Sequence, residues 1–168
     1  MTELSRRDLL VAGAGLALSS RAGAKTVAPE TRPNILFIVA DDLGYADLSC
    51  YGRPDYRTPV LDRLARDGLL MTSAYANSAV CSASRTALIT GRYQYRLNVG
   101  LFEPGGGGAD YGIPEGHPTL PSLLQRQGYR TSLFGKWHLG GPPKYSPIHR
   151  GYDYFFGFLG GGGLRLLS

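Results

Sequence analysis

This 168-residue sequence has few cysteines and few charged residues. The first scarcity excludes a framework of disulfides, and the second excludes a disordered chain. It contains two cysteines, Cys50 and Cys81, whereas a small domain framed by disulfides needs more. We therefore expect two free thiols, with Cys50 packed as a small apolar side chain. Charged residues make up only 18% of the chain, too few for a disordered acidic or basic polymer, and the 43% apolar content is enough for a packed core.

A run of basic residues is also lacking after position 25. The formal net charge is +5, and residues 1–25 contribute four basic against two acidic side chains, which leaves +3 for the remainder. Because no stretch concentrates lysine and arginine there, a nucleic-acid partner is not expected. A mildly positive chain suits an anionic substrate, although charge alone does not identify one.

No apolar run is long enough to span a membrane stably, since the one at 9–18 is about half of the ~20 residues required. Ser-Arg-Arg at 5–7 precedes this run, and the small residues Ala-Gly-Ala follow at 22–24. A charged start, a short apolar middle and a small-residue end predict a secretory signal over 1–25. It resembles the twin-arginine class, so the expected partner is the twin-arginine export machinery and the expected location periplasmic or secreted. A buried N-terminal helix and a retained membrane anchor remain the alternatives.

The rest of the chain alternates predicted strands with predicted helices. After a polar linker at 26–33, the apolar, β-branched run Asn34–Ala40 is typical of a strand buried on both faces of a parallel sheet. Alternation of this kind predicts a mainly parallel α/β sheet flanked by helices, formed by residues 34–168. Further strands are predicted at Leu69–Tyr75 and Tyr129–Phe134, and helices at Thr58–Gly68, Ser82–Thr90 and from about Leu120 to Gly128. The glycine runs Gly105–Gly108 and Gly160–Gly163 are typical of flexible loops.

Asp41 and Asp42 follow the first predicted strand, at the end of a parallel strand where open α/β folds place ligands. Two adjacent carboxylates repel each other unless positive charge lies beside them, and a hard divalent cation with oxygen ligands is one solution. The alternative is that one aspartate caps a turn and the other is solvated.

Cys81 and Arg85 form the second cluster. Cys81 is predicted at or just before a helix N-terminus, where free amides and the helix dipole favour an anion or an anionic nucleophile. Arg85 lies four residues on and can face it. On these features alone, a buried structural cysteine beside a surface arginine is the favoured interpretation.

Lys136 and His138 form the third cluster, in the segment Gly135–Gly140 after the third predicted strand. If the backbone stays extended, the two side chains point to one face, where an ammonium and an imidazole suit an oxyanion and its proton transfers. A tryptophan-centred loop with solvated Lys136 and His138 is the alternative.

Taken together, these segments resemble the sulfatase family of the alkaline-phosphatase-like superfamily. Cys81, Ala83 and Arg85 match the family signature of Cys or Ser, any residue, Pro or Ala, any residue, Arg, and Leu88–Arg92 resembles its continuation. The other matches are Gly135–Gly140, Gly151–Phe158 and Asn34–Gly44, so the resemblance covers nearly everything from 32 to 162.

The resemblance implies a sulfate-ester hydrolase in which Cys81 is oxidised to formylglycine. Asp41, Asp42 and position 81 would bind one divalent cation, Ca²⁺ or alternatively Mg²⁺, and the hydrated aldehyde would attack sulfur. Arg85 and Lys136 would hold the negative charge, and His138 would assist removal of a proton so that sulfate leaves. A formylglycine-generating maturase is then a partner, and Ala83 in place of the commoner proline favours a radical-type one.

Family members run to several hundred residues, and the resemblance places further metal ligands, a second histidine and a second lysine in a later part of the chain. We therefore expect this sequence to be the N-terminal part of an incomplete catalytic domain, poorly stable and essentially inactive alone. A phosphoester or phosphonate-ester hydrolase of the same superfamily and a non-catalytic truncated gene product remain alternatives. His117, His149 and Arg92 are weaker site candidates, expected to be loop or structural residues.

Overall fold

The computed structural model describes residues 32–102, 110–161 and 166–167. The chain divides into two compact units, residues 1–39 and residues 40–168. Within the second unit, the α-helices are α1 (Pro59–Asp67), α2 (Cys81–Thr90) and α3 (Leu120–Arg126), and the strands are β1 (Ser132–Lys136), β2 (Tyr154–Phe158) and β3 (Leu166–Leu167). Short 3-10 helices lie at Tyr45–Asp47, Ser49–Tyr51, Gln94–Arg96, Asn98–Gly100 and Pro147–Arg150.

The helices begin and end close to the predicted residues. Proline occupies the first turn of α1 and of α3, where the missing amide hydrogen costs nothing. In α3 the Thr119 side chain accepts a hydrogen bond from the Ser122 amide at 3.3 Å, while the Ser122 hydroxyl accepts one from the Thr119 amide at 2.9 Å. This reciprocal cap satisfies backbone groups that the helix leaves free. α2 ends at Gly91, which has a left-handed φ of 64° and closes the last turn through the Ala87 carbonyl.

The sheet has the order β1-β2-β3. β1 and β2 are parallel, with Ser132 opposite Tyr154 and Lys136 opposite Phe158, whereas β3 runs antiparallel to β2. Gly135 and Gly157 lie opposite each other, and a side chain at 157 would collide with the Gly135 backbone. The predicted α/β architecture, a largely parallel sheet with helices, is confirmed.

A small apolar core fixes the end of β1. Its buried members are Ile89, Val99, Ile113, Trp137 and Leu139, with partly buried aromatic residues packed around them. The Trp137 indole nitrogen donates to the Tyr145 carbonyl at 2.9 Å, so its polar edge is satisfied inside the core. Because Trp137 and Leu139 follow β1 directly, the core anchors the segment that carries Lys136 and His138.

Two predicted strands are wrong in this structure. Residues 34–40 and 69–75 have no strand conformation, and their apolar side chains are exposed, Leu36 at 85% and Leu69 at 78%. A strand is stabilised by hydrogen bonds to a neighbouring strand and by cover on its faces. The described residues give these two segments neither, so the apolar pattern alone does not produce the strand.

The third predicted strand is confirmed with a shift, since β1 occupies Ser132–Lys136 rather than Tyr129–Phe134. The predicted export signal, most of the linker and the first glycine run lie outside the described residues. No helix among the residues that the structure describes is both long and apolar enough to cross a membrane.

Candidate active site

The acidic pair lies in a turn in front of the first 3-10 helix. Asp42 has a positive φ of 58°, a conformation that residues other than glycine seldom adopt. Both aspartates are exposed. One ligand atom from each of Asp41, Asp42 and Cys81 lies within 4.8 Å of the other two, so the structure brings the predicted metal set together.

Cys81 is the first residue of α2 and is half-buried. Its thiol donates a weak hydrogen bond to Asp42 Oδ1, with a sulfur–oxygen distance of 3.8 Å. The helix points its free amides and the positive end of its dipole toward this position. The predicted placement of Cys81 at a helix N-terminus beside the carboxylates is confirmed.

Arg85 joins α2 to both of the other clusters. Its Nη2 donates to Asp41 Oδ1 at 3.1 Å, and its Nη1 donates to the backbone carbonyl of Lys136 at 2.8 Å. The contact with the Lys136 carbonyl had no signal in the sequence, because a backbone acceptor carries no residue identity. Arg85 therefore positions the end of β1 as well as carrying charge into the site.

Lys136 completes the charged cluster. Its Nζ donates to Asp41 Oδ2 at 2.9 Å, and its side chain is only 6% exposed. The two oxygens of Asp41 thus accept from two different cations. Two carboxylates, Asp41 and Asp42, are balanced by Arg85 and Lys136, so the cluster is formally neutral before any ion or anion is added.

The pairing shifts the protonation equilibria of both partners. The hydrogen bond from Lys136 is the main cause that lowers the pKa of Asp41, helped by Arg85 and opposed by burial. Burial works against the charge of Lys136, but hydrogen bonds and attraction from Asp41 and Cys81 outweigh it and raise the pKa of Lys136. The lysine therefore stays charged at neutral pH even though it is buried.

His138 is also buried, at 6% exposure, but the backbone around it differs from the prediction. β1 ends at Lys136, and His138 has a left-handed φ of 57°. The condition for Lys136 and His138 to point to one face, an extended backbone through both residues, is therefore not met at His138. His138 and Asp42 are the non-glycine residues with positive φ in the described part of the chain, and strained backbone of this kind is concentrated at functional sites.

The remaining candidates are not part of the charged cluster. Cys50 is a half-buried free thiol in the 3-10 helix Ser49–Tyr51, which agrees with the predicted absence of a disulfide to Cys81. Burial, with a smaller repulsion from Arg92, lowers the pKa of His117. His149 is exposed, and its carbonyl accepts a hydrogen bond from Arg150.

The donor chemistry fits a hard divalent cation in part. Carboxylate oxygens suit Ca²⁺ and Mg²⁺, whereas the soft sulfur of Cys81 is a poor ligand for either. An oxygen in place of this sulfur would make all three donors hard. The residues therefore fit such an ion best if position 81 is oxidised.

Solved structures and curated proteins resemble this chain in both fold and sequence. The structure superposes on the crystal structure of Ps i-CgsB with a TM-score of 0.73 and 42% identity, covering 78% of this chain and 29% of that chain. The chain is 45% identical over 141 residues to arylsulfatase H of Canis lupus familiaris, covering 76% of this chain and 25% of the relative. It is 41% identical over 150 residues to N-acetylgalactosamine-6-sulfatase of Sus scrofa, covering 84% of this chain and 28% of that relative.

Such neighbours define an α/β protein of the alkaline-phosphatase-like class. The sulfatase family matches residues 33–163, most of the chain, and the chain belongs to that family. It spans about a quarter of the length of these curated relatives.

Proposed function

We propose that this chain carries the nucleophile-bearing part of a sulfuric ester hydrolase, which splits a sulfate ester with water into an alcohol and sulfate. The supporting observation is the meeting of Cys81, the acidic pair and two cations, Arg85 and Lys136, within hydrogen-bond or ligand distance. Membership of the sulfatase family adds independent support.

Asp41 and Asp42 would hold one divalent cation, Ca²⁺ or Mg²⁺, which when bound supplies positive charge to a sulfate oxygen. Formylglycine made from Cys81 would supply, once hydrated, one hydroxyl to attack sulfur and a second to expel sulfate. The exposed carboxylates face solvent, from which an ion can enter, and Asp42 Oδ1 lies 3.8 Å from the sulfur of Cys81.

Arg85 and Lys136 would bind the anionic sulfate group. Both are largely buried, and fixed charges in a water-poor environment stabilise developing negative charge without reorganisation. Because each already pairs with Asp41, cation binding at Asp41 would free part of their hydrogen-bonding capacity for the substrate. His138 would take up the proton released when sulfate leaves, since an imidazole is a common general base in proteins.

We also propose that the 168-residue chain is essentially inactive when alone. Ca²⁺ takes six to eight oxygen ligands, roughly twice the number that Asp41, Asp42 and an oxidised Cys81 supply among the described residues. An ion held by so few ligands binds weakly, and weak binding leaves the sulfate group without its main Lewis acid.

Oxidation of Cys81 can be tested without turnover. The chain is co-expressed with a radical-type maturase, and its intact mass is compared with that of Cys81→Ala and Cys50→Ala variants. Conversion of a thiol to an aldehyde loses about 18 Da, and an aminooxy probe then labels the aldehyde. We expect loss and labelling in wild type and Cys50→Ala only. An unchanged mass in the native host favours a non-catalytic gene product.

The reaction class can be tested in a joined protein, in which residues 33–163 of this chain replace the aligned segment of arylsulfatase H from Canis lupus familiaris. We expect it to hydrolyse 4-nitrophenyl sulfate faster than 4-nitrophenyl phosphate, and Cys81→Ala to abolish both activities. Preference for the phosphate ester would transfer the assignment to the phosphoester hydrolases of the superfamily. Inactivity of a folded, formylglycine-bearing joined protein contradicts the proposal.

Export through the twin-arginine machinery, and hence a periplasmic or secreted location, is proposed from the sequence of residues 1–25. Replacing Arg6 and Arg7 by lysine should retain the protein in the cytoplasm, as seen by fractionation of the host. A conservative Arg21→Lys change outside the pair is the control and should leave export intact. Unimpaired export of the double variant argues against this route.

A further inference from the structure

His138 is held from the β2 side of the sheet. The amide of Trp137 donates to the Phe158 carbonyl at 3.0 Å, and the amide of His138 donates to the Leu159 carbonyl at 2.9 Å. The segment that follows β1 thus stays hydrogen-bonded to the end of β2, although the regular parallel register stops at Lys136. This fixes the backbone of His138 opposite Leu159, two residues before Gly161.

The imidazole ring of His138 lies directly against Gly161. A Cβ at position 161 would lie 2.5 Å from Cε1, 2.6 Å from Nε2 and 3.2 Å from Nδ1 of this ring. Non-bonded heavy atoms rest at about 3.5–4.0 Å, so any side chain at 161 would overlap the Cε1–Nε2 edge. The ring has little freedom to move away, because it is buried.

The demand for glycine is specific to this position. A Cβ at the neighbouring Gly160 would have no atom within 4 Å. The run Gly160–Gly163 is predicted as a flexible loop, yet Gly161 has a defined packing role that Gly160 lacks. Neither residue has a positive φ, so the difference between them is steric and not conformational.

We propose that Gly161 is the positioning residue for His138. Its backbone forms one wall of the imidazole site, and its missing side chain leaves the Cε1–Nε2 edge in place. This inference rests on the proposed function for its catalytic meaning, since it assumes that His138 transfers a proton. The geometric part, contact between residue 161 and the ring, stands without it.

The test is an NMR comparison of the full 168-residue chain in three forms: wild type, Gly161→Ala and Gly160→Ala. The chain has three histidines, His117, His138 and His149, so the ¹³C–¹H spectrum of the imidazole Cε1 groups is simple. A His138→Gln variant assigns the relevant signal. We expect Gly161→Ala to move the His138 signal by more than its line width and Gly160→Ala to leave all three signals in place.

The single tryptophan gives an internal control for folding, because the Trp137 indole N–H is hydrogen-bonded beside His138. An unmoved His138 signal in Gly161→Ala, with the indole signal retained, overturns the proposal. If Gly161→Ala loses the indole signal, the variant is unfolded and the test moves to the wild-type protein. There, an NOE between the Gly161 Hα and His138 Hε1 protons supports the contact, and its absence overturns the proposal. None of these readouts depends on turnover, so failure here is distinct from failure of the proposed function.

Discussion

Residues 40–80 and residues 81–161 are held together by different forces. No residue in 40–80 is buried, whereas the second region supplies every buried member of the apolar core. The first region relies on a polar cluster instead, in which the Ser49 hydroxyl donates to Asp62 at 2.6 Å and the Thr58 hydroxyl donates to the same carboxylate at 3.0 Å. One region is therefore stabilised by burial and the other by local hydrogen bonds.

This contrast separates the two halves of the charged cluster. Arg85 and Lys136 come from the packed region and are largely buried, while Asp41 and Asp42 come from the exposed one. Buried cations on a rigid support are suited to holding an anion in one place. The exposed carboxylates are open to solvent, from which a metal ion could reach them.

The largest expected effect is on the packed region. Ile113→Ala removes a side chain with no solvent exposure, and such changes cost about 2–5 kcal/mol through lost burial and a residual cavity. Leu64→Ala on α1 is the control, since Leu64 is 68% exposed and surface changes stay within about 0.5 kcal/mol. Urea unfolding followed by Trp137 fluorescence measures both. Equal losses would show that the two regions do not differ as described.

A smaller effect is expected from removing the buried charge. Lys136→Met in the joined protein should lower kcat/KM for an aryl sulfate by about 10²–10³, because a preorganised charge near the reacting group is lost. Lys144→Met is the matched control, since Lys144 also pairs with an aspartate, Asp110 at 2.6 Å, but on the surface. If both variants lose activity alike, burial of Lys136 has no special role.

The smallest effect is a pH dependence of the polar region. Hydrogen bonds, first from Ser49 and then from Thr58, lower the pKa of Asp62 against an opposing effect of burial. A carboxylate with a depressed pKa in the folded state stabilises fully above its unfolded value of about 4, and this contribution is lost as the pH falls through the folded value. The amides of residues 40–80 should therefore lose protection against hydrogen exchange, measured relative to the intrinsic rate at the same pH, below about pH 4 and before Trp137 fluorescence changes.

An Asp62→Asn variant sharpens this prediction, because its side-chain amide does not titrate and the loss of protection on acidification should shrink. Asp67→Asn, on the same helix with a side chain 64% exposed, is the control and should behave as wild type. Simultaneous opening of both regions in acid would contradict the separation between them.

The sequence was most informative where a residue type is tied to a local geometry. The end of α2 before Gly91 and the proline in the first turn of α1 and of α3 follow from capping and dihedral preferences. The meeting of Asp41 with Lys136, 95 positions apart, followed from placing both at the ends of predicted strands. The two residues meet even though residues 34–40 form no strand here.

Other features depend on atoms that the residue pattern does not specify. Whether residues 34–40 pair as a strand is decided by neighbours, not by their own apolar character. The left-handed backbone of Asp42 and His138 is imposed by tertiary structure, because neither residue prefers it over the right-handed and extended regions. The hydrogen bond from Arg85 to the Lys136 carbonyl is likewise set by the packing of α2 against the end of β1.

Trp137 stands between the two residues on which the proposed chemistry depends. Its indole is buried in the core and contacts the Tyr152 ring edge-on at a centroid distance of 6.1 Å. Its chain neighbours are Lys136, in the charged cluster, and His138, whose ring lies against Gly161. A substitution that changes core packing around Trp137 will therefore also change the positions of Lys136 and His138. A repacked interior around residue 137 that preserves thermal stability would still be expected to alter turnover.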